Sequence, residues 1–136
     1  MLEESTGEPE KILILKAIAN MGVTETIPTL KRLIDDRSQT IRVRVNAIYG
    51  LRRLAKQFKK QVVPILMTSF MDIKEEHDVR RAAFVVIIDS NPSFLTLQMI
   101  AHLLRNEPSS RIRTLVYSSL INLALYTSHE PEHKEL

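Results

Sequence analysis

Residues 79–124, VRRAAFVVIIDSNPSFLTLQMIAHLLRNEPSSRIRTLVYSSLINLA, hold three apolar runs separated by Asn91-Pro92 and by Glu107-Pro108-Ser109-Ser110. Within each run apolar residues recur at i, i+3 and i+4, and each break carries a proline, which lacks the amide donor a helix interior needs. The stretch therefore predicts helix, turn, helix, turn, helix. The same register runs back through the whole chain. Ile14, Ala47, Ala83 and Val116 are each followed four residues on by an apolar residue, Ile18, Leu51, Ile87 and Leu120, with spacings of 33, 36 and 33 residues. Small and apolar residues at such a period mean stacked antiparallel helix pairs, each burying the face of the next.

The expected fold is all-α: an α-solenoid of stacked antiparallel helix pairs in a HEAT-like curved double layer, with seven main helices as three pairs plus one. Residues 1–8 read as a disordered tail, 9–127 as the helical-repeat domain and 128–136 as a polar tail. Pro9 and Glu10 suit a first turn, and Gly22 suits the end of that helix. The partner helix begins near Thr24 and takes Pro28 in its first turn. Ser38 is the expected cap of the next long helix, which runs to Ala55, and its partner starts near Gln61. Pro64 lies 36 residues after Pro28, so it belongs to a matching first turn, or to a shared kink if the helix starts earlier. The third pair covers Glu76 to Asn106, and a last helix runs from Arg111 to about Thr127.

Composition agrees: 44% hydrophobic residues with 5% aromatics and three glycines favours helices over strands. The sequence shows no apolar run long enough for a membrane helix and no signal peptide at Met1, so the chain is expected to be soluble. With no cysteine, disulfides and thiolate metal sites are excluded. The net charge of +3 is uneven: residues 31–60 carry ten Lys or Arg against Asp35 and Asp36, while the first ten residues carry four glutamates. Such a run can serve phosphates, nucleic acid or an acidic partner, but a solvated face that pairs across helices is the favoured reading. Only Tyr49 and Phe58 interrupt it and no base-reading module is present, so no nucleic-acid partner is expected.

Lys11, Arg44, Arg80 and Arg113 recur in register near the start of each first helix. A basic residue there can bond the carbonyls or carboxylates that end the preceding second helix, with Asp35-Asp36 and Asp72 as candidates. A structural ladder is favoured over a ligand site. The string His129-Glu130-x-x-His133 matches a zinc-protease motif in letters only, because Pro131 interrupts it and no third ligand follows. His77 and His102 have no ligand-spaced partners. Asp35-Asp36 and Glu75-Glu76-Asp78 read as solvated acids at helix ends and in loops. There is no phosphate loop and no nucleophile elbow. Catalytic residues, metal ligands and cofactors are therefore expected to be none.

The segment from Val79 to Ala124 resembles the helical domain of the large lipid transfer proteins, which include vitellogenins, insect lipophorin apolipoproteins, apolipoprotein B and the large subunit of the microsomal triglyceride transfer protein. The elements that carry it are Arg80 with Ala82-Ala83-Phe84, then Asn91-Pro92, Ile100-Ala101, Glu107-Pro108 and Val116-Tyr117-Ser118. Upstream, Leu15 to Gly22 (LKAIANMG) is similar to the family's L-K-A-L-G-N-x-G, and Ala47 to Leu54 (AIYGLRRL) to its A-I-x-A-L-R-x-L. Ala19 and Gly50 depart from the pattern.

That resemblance implies a fragment of a secreted lipid carrier whose helices brace a lipid cavity. Lipid and the carrier's other domains would be its partners. The alternative is a generic HEAT or armadillo scaffold for a protein partner. Apolar residues surround the last helix, so Leu120, Ile121, Leu125 and Tyr126 form a candidate contact surface, for lipid or for self-association.

Overall fold

The computed structural model describes residues 7–129, and their side chains as far as Tyr126. Every regular element among them is helical: α1 Glu8–Met21, a 3-10 turn Thr24–Thr26, α2 Ile27–Asp35, α3 Ile41–Gly50, α4 Arg52–Gln57, α5 Lys59–Met71, α6 His77–Asp89, α7 Phe94–Leu104 and α8 Ser110–His129. The seven expected main helices are present, with the third broken at Leu51 into α3 and α4.

Local chemistry explains the ends. Pro9 sits in the first turn of α1, and the Gly7 N–H donates to Glu10 Oε2 at 3.2 Å. Gly22, at φ 61°, takes the left-handed conformation that ends the helix, one a side chain would strain. The cap of α3 is Thr40, whose Oγ1 accepts the Val43 N–H at 3.2 Å, and not Ser38. Ser38 instead donates its N–H and hydroxyl to Asp36 Oδ1, which folds the turn two residues too early to cap the helix.

The two matched prolines are handled differently. Pro28 lies in the first turn of α2, as expected, because the preceding residues form a separate 3-10 turn. Pro64 lies inside α5, which starts five residues earlier at Lys59. The first-turn reading fails there because Phe58 O accepts the N–H of both Gln61 and Val62, carrying the α-helix through the proline.

The chain falls into two compact units, Met1–Ser93 and Phe94–Leu136. In the first, α1, α3 and α6 form a row in which α3 touches both neighbours, while α3 packs on α2, and α6 on α5. Each first-type helix thus rests on the second helix of the preceding pair. Leu30, Ile34, Ala47, Leu51, Leu66, Ala83 and Ile87 fill the core between them. Gly50 allows close approach, since a Cβ there would stand 3.3 Å from Leu30 Cδ2 and 3.9 Å from Ala19 Cβ. In the second unit α7 packs against α8, with Ile100, Ile112 and Val116 buried.

Candidate functional site

Two of the recurrent basic residues, Arg44 and Arg80, form a ladder on the carbonyls of helix ends. Arg44 Nε donates to Ile34 O at 2.8 Å, and Arg80 Nε to Phe70 O at 2.9 Å, each reaching ten residues back to the last turn of the preceding second helix. Helix C-termini carry carbonyls without helical partners and a partial negative charge, which a guanidinium satisfies on both counts. Arg113 instead donates to a loop carbonyl, Glu107 O, at 2.6 Å, three residues beyond the end of α7. Lys11 Nζ donates to Gln39 Oε1 at 3.1 Å. Arg80 also lies over the Phe70 ring, 5.6 Å from its centroid, and Phe70 stacks at 5.3 Å on Phe84.

The expected carboxylate partners are not the ones used. Asp35 pairs with Lys31, Asp36 closes its own turn and Asp72 pairs with Arg37. One carboxylate that does meet the ladder is Glu75, which is buried rather than solvated: Arg44 donates to both its oxygens, at 3.1 and 2.7 Å. Burial raises the Glu75 pKa, but the bonds from Arg44 and the Glu76 N–H, with the charges of Arg44 and Arg37, hold it below the ordinary 4.5. Only the repeat spacing could have marked it in the sequence. Gln39 and Glu75 stand 36 residues apart, each three residues after an aspartate whose side chain accepts the N–H two positions on.

Most of the basic run is consumed in pairing across helices. Arg52 and Lys56 share Asp89 at 2.8 and 3.4 Å, the bond from Arg52 being the main cause of its lowered pKa. Arg53 donates to Asn20 O, and Lys59 to Asn91 O. Shallow grooves also mark the first unit. One, of about 510 Å³, lies between α1 and α2 and is lined by Ile18, Met21 and Leu33 with Arg32 and Asp36. Another, of about 530 Å³, carries Arg42, Tyr49 and Arg81.

Of the candidate contact residues, Ile121, Leu125 and Tyr126 are exposed and Leu120 is half-buried. On α7, Phe94, Leu95 and Met99 are exposed as well. His77 opens α6 and His102 lies exposed on α7. His129 ends α8, and the rest of the H-E-x-x-H string lies outside the described residues. Among the described residues no group of three His, Cys, Asp or Glu is placed to hold a metal, and no helix is long and apolar enough to cross a membrane.

With helix order, ladder and grooves defined, comparison with known proteins assigns the chain. The family model for the vitellogenin TPR domain matches residues 2–121. The chain belongs to the vitellogenin family. It is 31% identical over 135 residues to vitellogenin-6 of Oscheius tipulae and 29% identical over 138 residues to the vitellogenin of Ichthyomyzon unicuspis. These matches cover 99% and 98% of the chain, but 8% of either relative. A solved lipovitellin structure, concerned with lipid–protein interactions, superposes with a TM-score of 0.75 at 30% identity, covering 82% of this chain and 12% of that one. The resemblance read from residues 79–124 is thus to a vitellogenin, and the helices correspond to a helical region of lipovitellin.

Proposed function

We propose that the chain is part of a vitellogenin-type lipid carrier, in which residues 9–127 act as a helical-repeat scaffold for a lipid cavity. The observation that carries this reading is the lipovitellin likeness at 30% identity, joined to a family match over residues 2–121. It favours the carrier over a generic HEAT or armadillo scaffold. The ladder supports a bracing role, because its cations are spent on helix ends and acids within the repeat rather than held open for a substrate. Lipid, met with the rest of the carrier, and the carrier's other domains are the proposed partners, in an extracellular setting. The proposed contact surface is Leu120, Ile121, Leu125 and Tyr126. No catalytic residue, cofactor or nucleic acid enters the proposal.

Flotation with phosphatidylcholine vesicles tests the lipid contact. The chain should rise with the vesicles, and Leu125→Glu should reduce the floated fraction while helical circular dichroism is retained. A chain that stays in the dense fraction at every lipid ratio would refute direct lipid contact by this surface.

A further inference from the structure

Residues that stacking requires recur in register, and exposed residues that do not recur need another account. Arg44 and Arg80 stand 36 residues apart, and both reach back to helix-end carbonyls. Arg42, Tyr49 and Arg81 break the register, since their counterparts 36 positions away are Asp78, Val85 and Val45. All three are exposed and line the groove between α3 and α6, inside the first unit. Among the described residues the side chains of Arg42 and Arg81 meet no acid and no carbonyl, whereas Arg37, Arg44, Arg52 and Lys56 each hold a carboxylate. The fold therefore leaves two guanidinium groups on one groove without using either.

The other lining residues set what fits. Ile41 and Val45 on α3 and Ala82 on α6 give the groove an apolar strip, and Ile41 is 40% exposed. The Tyr49 hydroxyl adds a group that can donate or accept. Guanidinium forks bind carboxylate or phosphate through paired hydrogen bonds. Asp78, on the same groove, decides between the two: two arginines less one aspartate leave a single positive charge, which a carboxylate balances. A phosphate group, at about −1.5 to −2, exceeds it. The dense phosphates of a nucleic acid or an anionic membrane meet the same objection, and neither has a use for the apolar strip.

We propose that the α3–α6 groove binds an acidic peptide segment of a partner protein, an aspartate or glutamate flanked by aliphatic side chains. Arg42 and Arg81 supply the partners of its carboxylate, and the strip of Ile41, Val45 and Ala82 receives the flanking residues. The site is separate from lipid contact, because it uses no residue of the α8 surface.

Fluorescence anisotropy of a labelled Ser-Leu-Glu-Leu-Ser peptide, titrated with the purified chain, tests it. The peptide should bind, and the version with Gln in place of Glu should bind about tenfold more weakly, the order expected for loss of a charge-assisted hydrogen bond. Arg42→Gln and Arg81→Gln, both at exposed positions, should each weaken binding while helical circular dichroism is retained. Lys60→Gln removes the same charge from an exposed site on α5 and should leave binding unchanged. Asp78→Asn should tighten it. Equal affinity for the Glu and Gln peptides overturns the proposal, as does an equal response to Arg42→Gln and Lys60→Gln. So does tighter binding of a phosphoserine peptide, or flotation with phosphatidylserine vesicles that Arg81→Gln abolishes, since either result gives the groove to phosphate. Arg42→Gln should leave flotation with phosphatidylcholine vesicles intact, which separates this result from the lipid test.

Discussion

Arg44 and Glu75 are locked together by two parallel hydrogen bonds in a site closed to water, one from the first helix of the second repeat, the other from the loop that opens the third. Ile34 O and the Glu76 N–H satisfy further valences of the same pair. Taking two charges out of water is favourable only when geometry and accessory bonds are this complete.

Removing one partner should therefore be severe. Glu75→Ala leaves Arg44 buried without its counter-charge, and a loss of about 3–5 kcal/mol is expected. Urea unfolding followed by circular dichroism measures it. The exposed trio of Arg52, Lys56 and Asp89 gives the contrast: Asp89→Asn should cost less than about 1 kcal/mol, since surface pairs are screened and carry little net energy.

Acid should act through Glu75. Its folded-state pKa lies below the ordinary 4.5 of the unfolded chain, so its contribution is fully present above that value and is lost as pH falls through the folded value. Stability of the wild type should decline on acidification below about pH 4.5, and the decline should be shallower in Glu75→Gln. Unfolding midpoints at a series of pH values decide it, and parallel curves would mean that other carboxylates dominate.

Ala47 and Ala83 are each 0% exposed at the centre of the α1–α3–α6 row. Ala47→Arg or Ala83→Arg should unfold the first unit, because an unpaired buried charge adds to overpacking by a large side chain. Arg53→Ala removes one exposed bond to Asn20 O and should be mild. Comparable loss in both classes would put the buried faces in the wrong place.

A chelator should leave the thermal midpoint unchanged, since the described residues bring no three metal-ligating side chains together. Stoichiometric zinc binding by calorimetry, abolished in His133→Ala, would show that the H-E-x-x-H string binds after all.

The register of Ala47 and Ala83 was legible because stacking repeats the same close approach every 33 to 36 residues, and the ladder was legible for the same reason. Glu75 was not. In a loop with Glu76 and Asp78 it has the composition of a solvated turn, and only the reach of Arg44 from another repeat puts it under cover. The start of α5 was hidden because Pro64 marks the same place as Pro28 in sequence while Phe58 begins the helix earlier. The break at Leu51 was hidden too, since its apolar neighbours continue the helical period across it. On α8, apolar residues all round the axis announced a contact surface, but which side lay open depended on packing the sequence does not state.

Arg44 and Arg80 each finish the helix before them. The carbonyls of Ile34 and Phe70 are satisfied only when the following first-type helix is in place. Pairs in the first unit are therefore not interchangeable beads that melt one at a time. Loss of α3 uncaps α2, and loss of α6 uncaps α5, so damage in one pair is passed to its neighbour. The first unit should respond to stress as a single cooperative block.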